Sequence, residues 1–259
     1  MQKQFIKNRK EQKISVWVEG EEKSTPLAFV MHGLGGWKDQ PHIKAFAQAF
    51  LDSGFTVVRF DTTNTYGESD GNYEDATVTT YYKDLEDVIS WAKGQPWYRE
   101  PFWLAGHSLG GISTILYAEK HPEKVAGLAP ISTVVSGKLS METEKHKKIA
   151  AEWEKTGWRI EESQTTPGRT RRLKWSHMED RLKYDVLPWA NKLTMPTLLI
   201  GGEYDDGTPP RHQQLLFDAL PGPKEMHIIK GAPHTFREQK HLEEVKALLD
   251  KWIKQYAKK

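Results

Sequence analysis

The chain alternates between short apolar runs and longer segments in which apolar residues recur at helical spacing. From residue 26 onward the runs are nearly continuous rather than alternating apolar and polar, which is typical of parallel strands buried on both faces. Turn residues follow each run, and a helical pattern usually comes next. The pattern predicts seven strands, at residues 13–18, 26–33, 55–61, 102–108, 126–132, 196–202 and 225–231.

Helices are predicted where apolar residues return every three or four positions, as Ile43, Phe46 and Phe50 do. Three helices follow on this basis, at residues 40–52, 78–94 and 239–257. Strands and helices in alternation favour an α/β fold, in which a mostly parallel central sheet carries helices on both faces.

The alternation breaks between residues 134 and 187, the most polar part of the chain. We predict that residues 134–187 form an inserted lid over the strand ends, and that residues 1–133 and 188–259 form the core. The alternative is an ordinary surface subdomain that has no part in binding.

Within the predicted lid, a helix is expected to begin near Ser140 and to end at Gly157. Glu142 and Glu144 would then lie in its first turn, where acidic side chains are favoured. The pair Pro167-Gly168 predicts a turn, which could belong to a hairpin.

Composition narrows the possible functions. The 259 residues are 37% hydrophobic and carry a formal net charge of +2, so nothing predicts attraction to nucleic acid or to an anionic membrane. The absence of cysteine excludes disulfides, a cysteine nucleophile and thiolate metal sites. No apolar stretch approaches the roughly 18 residues of a membrane helix, and no signal peptide is visible at the N-terminus. We therefore expect a cytoplasmic protein.

A candidate nucleophile follows the fourth predicted strand. Gly106-His107-Ser108-Leu109-Gly110 fits the G-x-S-x-G pattern, in which a serine sits on a sharp turn from a strand into a helix. Such a turn strains the backbone and crowds its neighbours, so glycines are needed on both sides. The alternative is a glycine-rich loop that only reverses the chain direction and has no catalytic role.

A second glycine-rich strand end, His32-Gly33-Leu34-Gly35-Gly36, could supply a backbone N–H to a developing oxyanion. Leu34 is the predicted donor there, and the amide of Leu109, just after the serine, is the predicted second donor. The alternative for these glycines is a tight turn.

Two later strand ends supply an acid and a histidine. Asp205 follows the strand at 196–202, and Asp206 and Glu203 are the runners-up for the same role. His234 lies in a short loop between the last strand and the last helix. The carboxyl ends of parallel strands share one sheet edge, so Ser108, Asp205 and His234 are expected to meet there. The alternative is that the acids belong to a solvated loop and that the histidine is simply exposed.

The order serine, acid, histidine is that of the α/β-hydrolases. The chain resembles that superfamily over essentially its whole length, through the stretches "HGLGG", "FDTTNTYGESDG", "GHSLGG", "GGEYDDGTP" and "GAPHTF". The resemblance implies an α/β-hydrolase fold and a serine hydrolase that forms an acyl-enzyme and needs no metal or organic cofactor.

Within the superfamily, "TVVRFDTTNTYGESDGNYEDATV" and "DLEDVISWAK" look most like the feruloyl or cinnamoyl esterase branch and its aminopeptidase-like relatives. That branch carries a small lid where the polar insertion lies here. The chain departs from many relatives at "TNTYGES", which weakens the implied substrate more than the implied fold. The resemblance implies a carboxylic-ester hydrolase acting on small esters, aromatic acyl esters included.

Tryptophans near the predicted site make an aromatic acyl group plausible, since their faces bury flat rings well. The predicted substrate-binding residues are Trp37, Trp153, Trp158 and Trp175. The enzyme alternative is a serine peptidase or aminopeptidase-like hydrolase. The alternative of another class is a non-catalytic hydrolase-fold protein that binds a small molecule.

Other chemistries have little support. The ten histidines show no metal-ligand spacing such as H-E-x-x-H, and no phosphate-binding loop motif is present. A basic cluster could suggest a nucleic acid or an anionic substrate, but acidic residues stand close to it in sequence, which favours a solvated face of the lid. The cluster comprises Arg169, Arg171, Arg172 and Lys174, and the acids are Glu161, Glu162, Glu179 and Asp180. The expected partner is a small-molecule ester.

Overall fold

The structure is a computed structural model that describes residues 2–20, 25–162, 168 and 170–257. The strands of these residues are β1 (Gln2–Lys7), β2 (Lys13–Glu19), β3 (Leu27–Met31), β4 (Thr56–Phe60), β5 (Phe102–His107), β6 (Val125–Ile131), β7 (Trp158–Glu162), β8 (Thr170–Lys174), β9 (Thr197–Gly202) and β10 (Lys224–Ile229). The α-helices are α1 (Pro41–Asp52), α2 (Val78–Ala92), α3 (Leu109–Lys120), α4 (Gly137–Met141), α5 (Glu144–Thr156), α6 (Ser176–Arg181), α7 (Pro210–Ala219) and α8 (Gln239–Tyr256). Short 3₁₀ helices cover Tyr73–Asp75, Pro122–Lys124 and Leu187–Lys192.

Eight strands form the central sheet in the order β1-β2-β4-β3-β5-β6-β9-β10. The pairs from β4 to β10 are parallel, whereas β2 pairs antiparallel with both β1 and β4. The seven predicted strands and three predicted helices are all present, with ends that differ by at most two residues. The predicted α/β architecture, a mostly parallel sheet with helices on both faces, is thus confirmed.

Strand β1 was not predicted, because it is an edge strand with a polar sequence, QKQFIK. Phe5 within it is 52% exposed, and its ring contacts the ammonium groups of Lys3 and Lys13 rather than the core. An edge strand needs no continuous apolar run, so hydrophobic patterning alone does not reveal it.

Two apolar cores lie on opposite faces of the sheet. On one face α1 and α8 pack together, with Phe46 and Trp252 among their fully buried side chains. On the other face α2, α3 and α7 contribute Tyr81, Ile112 and Leu216. Because the sheet is covered on both faces, its carboxyl edge is left to carry the polar residues of a site.

The segment between β6 and β9, which we call the insertion, contains α4, α5, the β7–β8 hairpin and α6. The predicted helix from Ser140 to Gly157 is in fact two helices. Glu142 ends α4, and its predicted place in a first turn was wrong. Thr143 caps α5 instead, since its side chain accepts a hydrogen bond from the amide of His146. Gly157 ends α5 in the left-handed conformation, with φ 75°.

The predicted hairpin is present as the antiparallel pair β7–β8. Gly168 has a positive φ of 78°, as a turn glycine does, while Pro167 and Arg169 lie outside the described residues. The insertion is tied to the core through Asp180, whose carboxylate accepts hydrogen bonds from the amide and hydroxyl of Thr79 on α2. The division of the chain at residues 134 and 187 stays a prediction.

No helix in the described part of the chain is both long enough and apolar enough to cross a membrane.

Candidate active site

Ser108 occupies a strained turn between β5 and α3. Its backbone has φ 55° and ψ −111°, a combination that few non-glycine residues adopt. A Cβ on Gly106 would lie 2.4 Å from the carbonyl oxygen of Gly110, and a Cβ on Gly110 would lie 2.4 Å from that of His32. Strand, turn and helix therefore approach too closely for any side chain at these two glycines. The crowding explains the G-x-S-x-G pattern.

The structure brings the three residues predicted to meet at the sheet edge into one hydrogen-bonded chain. Ser108 Oγ lies 2.9 Å from His234 Nε2, and His234 Nδ1 lies 2.7 Å from Asp205 Oδ2. The two runners-up for the acid have other partners. Asp206 is exposed and pairs with Lys145, and Glu203 accepts a hydrogen bond from the amide of Gly231.

Asp205 is held as an anion by a set of donors. Its Oδ1 accepts hydrogen bonds from the amides of Gly207 (3.0 Å) and Thr208 (2.7 Å), and Thr208 Oγ1 lies 2.7 Å from its Oδ2. Burial alone would raise the pKa of this carboxyl. The charge and hydrogen bond of His234, together with the Thr208 donors, outweigh burial and hold the pKa well below its usual range. The charged carboxylate thus keeps Nδ1 of His234 protonated and Nε2 free to accept a proton from Ser108.

His107, the residue before the serine, supports the histidine loop. Its ring Nε2 lies 2.9 Å from the carbonyl oxygen of His234, so that nitrogen carries the proton and donates. Burial, with a smaller contribution from the charge of His234, lowers the pKa of His107 to about 3. His107 is therefore neutral at physiological pH and places no positive charge beside the His234 ring.

The glycine-rich loop after β3 is braced from two sides. His32 Nδ1 donates to the carbonyl oxygen of Gly33 (2.8 Å), while its Nε2 accepts from the amide of Thr62 (3.0 Å). The hydroxyl oxygen of Tyr81 accepts a hydrogen bond from the amide of Gly35, 3.2 Å away. These bonds hold the backbone around Leu34 in one conformation.

Leu34 and Leu109 line the same cavity as Ser108. Leu109 is the first residue of α3, where a backbone amide has no partner within the helix. A helix N-terminus and a glycine loop facing one hydroxyl form an arrangement that can stabilise a developing oxyanion. Both residues line the cavity, and their role as oxyanion donors stays a prediction.

The cavity beside Ser108 has a volume of about 260 Å³, slightly below the roughly 300–1,000 Å³ of most ligand pockets. Its lining is rich in charge. Among the described residues that line it, five are basic and three acidic: Lys145, Arg159, Arg171, Arg181 and Arg237, and Glu161, Glu162 and Asp206. Tyr73 is the one tyrosine, phenylalanine or tryptophan among those lining residues.

None of the four tryptophans predicted to bind substrate is among the residues that line this cavity, and their role in binding stays a prediction. Trp37 lines a separate surface depression with Lys38 and Glu68. Trp153, Trp158 and Trp175 belong to the structure of the insertion itself. Large aromatic side chains are needed there because the insertion is polar and has to assemble a small core of its own.

Trp153 is the centre of that small core. It is fully buried, its Nε1 donates to the carbonyl oxygen of Leu173, and its ring meets Trp175 edge-on at 5.3 Å. Trp158 is covered instead by the guanidinium of Arg172, 4.3 Å from its ring. Both tryptophans therefore serve packing within the insertion.

The basic cluster of β8 divides between two environments. Arg172 is exposed, as the solvated-face interpretation predicts, and Lys174 pairs with Asp75 of the core. Arg171 instead lines the cavity at Ser108, and its guanidinium lies 5.4 Å from the ring of Tyr66. The hairpin thus carries one of its arginines to the site. Arg169 lies outside the described residues.

Several residues of the site were not singled out by sequence patterns. Thr208, Tyr81 and Arg181 come from the acid loop, α2 and α6, three separate parts of the chain. Thr208 carried a weak signal, since a hydroxyl residue shortly after an aspartate can close a turn onto its carboxylate. Nothing in the local sequence distinguishes Tyr81 or Arg181, because their role depends on distant partners.

Comparison with known proteins places this geometry in context. Among curated proteins, an uncharacterised 31.7 kDa protein of Escherichia coli is 25% identical over 89% of this chain and 91% of its own length. The mouse mitochondrial palmitoyl-protein thioesterase ABHD10 is 28% identical over 76% of this chain and 65% of its own length.

Solved structures show the same fold. Est1E from Butyrivibrio proteoclasticus, with ferulic acid bound, superposes with a TM-score of 0.82 at 21% identity and covers 99% of this chain and 100% of its own. Mouse ABHD10 superposes with a TM-score of 0.78 at 21% identity, covering 98% of this chain and 99% of its own.

A family model described as serine aminopeptidase, S33, matches residues 23–185, well over half of the chain and including Ser108. Asp205 and His234 lie beyond the match, so their placement rests on the geometry at the sheet edge. The mostly parallel sheet, the superpositions and the family match agree: the chain is a hydrolase of the α/β-hydrolase fold and belongs to the Hydrolase_4 family.

Proposed function

We propose that the protein is a serine carboxylic-ester hydrolase in which Ser108 is the nucleophile, His234 the general base and acid, and Asp205 the residue that orients His234. The observation that carries this proposal is the hydrogen-bonded chain from Ser108 Oγ through His234 to Asp205, with distances of 2.9 and 2.7 Å. Such a chain activates a hydroxyl whose own pKa is too high for attack.

In the proposed reaction, Ser108 Oγ attacks the ester carbonyl carbon while its proton passes to His234 Nε2. The oxyanion accepts hydrogen bonds from the amides of Leu34 and Leu109. The tetrahedral intermediate then collapses, the bond to the alcohol breaks, and His234 gives its proton to the leaving oxygen. Water attacks the acyl-enzyme in the same way, so ester and water become acid and alcohol and Ser108 is regenerated.

The substrate class we propose is a small ester, with feruloyl- or cinnamoyl-type aromatic acyl groups included. The cavity volume of about 260 Å³ suits a small molecule, and Tyr73 adds an aromatic ring to its lining. The fold of this chain is similar to that of Est1E, whose structure holds ferulic acid. The charged lining argues against a long aliphatic chain such as palmitoyl, because burying apolar groups there would desolvate charges.

A serine aminopeptidase is the second candidate, favoured by the description of the matching family. An aminopeptidase must hold a cationic substrate amine, which requires a carboxylate without a partner. Two of the three acidic residues of the cavity are already paired, Glu161 with Arg159 and Asp206 with Lys145. Basic residues also outnumber acidic ones in the lining, so the cavity favours esters over free amino termini.

The test is a substrate panel on purified protein: 4-nitrophenyl butyrate, methyl ferulate, a palmitoyl thioester and an aminoacyl 4-nitroanilide. We expect the esters to be hydrolysed and Ser108→Ala to lose nearly all of this activity together with labelling by a serine-reactive phosphonate. Faster cleavage of the anilide would favour the aminopeptidase. If wild type and Ser108→Ala were equally inert and equally unlabelled, the protein would be a non-catalytic binding protein.

A further inference from the structure

Arg181 of α6 stands out among the basic residues of the cavity. It lines the same cavity as Ser108, yet it is only 7% exposed. Within the described residues, no ion pair or hydrogen bond engages its guanidinium, and its Nε is buried without a partner. A buried, unpaired charge is costly, so such a group is seldom kept where packing is its only task.

The neighbours of Arg181 do not neutralise it. Burial, and after it the positive charge of Arg159, lower the pKa of Arg181 to about 10, so the guanidinium stays protonated at neutral pH. Its field reaches two buried histidines of the insertion, His146 and His177. Burial and then the charge of Arg181 lower the pKa of each to about 3, so both are neutral.

Of the three carboxylates that line the cavity with Arg181, two are engaged elsewhere, and the third, Glu162, is exposed and forms no ion pair with Arg181. Glu161 pairs with Arg159 at 2.6 Å, and Asp206 pairs with Lys145 at 3.2 Å. Asp180, the residue before Arg181, instead accepts from Thr79 and lies 3.5 Å from Lys183. Arg181 thus lines the cavity beside Ser108 with a guanidinium that no described residue engages.

We propose that Arg181 binds a carboxylate of the substrate, so that the preferred ester carries a carboxylate group in addition to the ester bond. The planar guanidinium fork matches a carboxylate, and the pair is strong when water is excluded. A singly charged carboxylate suits the cavity better than a phosphate dianion, since Glu161 and Asp206 line the same space. The inference rests on the proposed ester hydrolysis at Ser108 and adds the chemical class of its substrate.

Matched substrates test this directly. On the acyl side, mono-4-nitrophenyl glutarate is compared with 4-nitrophenyl pentanoate. On the alcohol side, 4-acetoxybenzoate is compared with 4-acetoxybenzamide. Spontaneous hydrolysis is subtracted with Ser108→Ala. For wild type we expect the carboxylate member of at least one pair to have the higher kcat/KM, about tenfold or more and mainly through KM.

Three variants test whether Arg181 is the residue responsible for the preference for carboxylate substrates. Arg181→Met is expected to abolish the preference, taken as the ratio of kcat/KM between the two members of a pair, so that any general effect of the substitution on catalysis cancels. Lys183→Met removes an exposed positive charge of the same insertion and should keep the preference. Arg181→Lys retains charge without the fork and should keep part of it. If Arg181→Met fails to fold, the substrate pairs assayed with wild type and with Arg181→Lys still test the proposal.

The possible failures separate cleanly. If wild type prefers the neutral member of both pairs, or if a preference survives unchanged in Arg181→Met, the carboxylate proposal is overturned. Hydrolysis of the neutral esters would then leave the ester hydrolase itself intact. If wild type hydrolyses neither member of either pair, the proposed function fails before this inference applies.

Discussion

The imidazole of His107 donates a hydrogen bond to the backbone carbonyl of His234, with Nε2 and the oxygen 2.9 Å apart. The two rings also lie 4.9 Å apart between centroids. The residue before Ser108 therefore holds the loop that carries His234, although the two residues are 127 positions apart in sequence. The serine turn and the histidine loop are positioned as one unit.

This contact makes His107 a positioning residue. His107→Leu would leave the His234 carbonyl without its donor and loosen the loop, so we expect kcat for 4-nitrophenyl butyrate to fall about tenfold with little change in KM. His107→Gln, whose side-chain amide can donate to the same carbonyl, should recover most of the loss. Equal losses in both variants, with equally lowered unfolding midpoints, would indicate a purely structural role.

The identity of the triad acid is tested by a matched pair of neighbours. Asp205→Asn replaces the carboxylate that receives His234 Nδ1–H, and kcat is expected to fall by about three to four orders of magnitude. Asp206→Asn, in the next residue, removes an exposed charge paired only with Lys145 and should change kcat less than about threefold. If Asp206→Asn lowered kcat more than Asp205→Asn did, Asp206 rather than Asp205 would be the triad acid.

Recognition of aromatic acyl groups is expected to depend on Tyr73 and not on Trp37. Tyr73 lines the cavity, and its ring stacks on Tyr66 at 4.7 Å. We expect Tyr73→Leu to raise KM for methyl ferulate about threefold to tenfold, with a smaller effect on methyl butyrate. Trp37→Leu should leave both KM values unchanged. If KM for methyl ferulate rose in Trp37→Leu instead, Trp37 rather than Tyr73 would be the residue that contacts the aromatic acyl group.

Glu119 on α3 should make stability depend on pH. It is 7% exposed, its Oε1 has no hydrogen-bond partner among the described residues, and burial raises its pKa to about 8 against a smaller opposing effect of Lys192. Between its ordinary pKa near 4.3 and about 8, the folded state holds a proton that the unfolded state has lost. Its contribution to stability is thus complete below pH 4 and is lost as pH rises toward 8.

Glu119→Gln removes this dependence, so the free energy of unfolding of the variant relative to wild type should rise by about 1 kcal/mol per pH unit between pH 5 and 8. Urea unfolding at several pH values measures the difference. Glu123→Gln, an exposed carboxylate close by in sequence, is the control and should show no such trend. Parallel pH curves for wild type and Glu119→Gln would mean that Glu119 is ionised in the folded protein.

Much of the fold could be predicted because each buried parallel strand is a continuous apolar run that ends in turn residues. The elements missed or misdrawn are those in which burial is incomplete. β1 is a polar edge strand, and the helix predicted after Ser140 divides at Thr143, whose cap is a local hydrogen bond rather than an apolar pattern.

Candidate site residues were predictable where the backbone itself demands a residue type. The glycines around Ser108 are required by contacts of 2.4 Å that any Cβ would make, so they leave a pattern in the sequence. The role of the tryptophans could not be predicted in the same way, because a large aromatic side chain serves a small core and a binding pocket equally well. Only their contacts distinguish the two uses, as the Trp153 bond to the Leu173 carbonyl does.

By itself, the sequence determined the order of strands and helices, the strained serine turn and the strand ends that carry Ser108, Asp205 and His234, because all of these follow from local patterns of apolar residues, glycines and turns. Only the tertiary structure decided that Asp205 rather than Asp206 meets the histidine, that His107 holds its loop, and that Arg181 lines the cavity without a partner among the described residues. Those outcomes depend on distances between residues far apart in the chain, which no local pattern encodes.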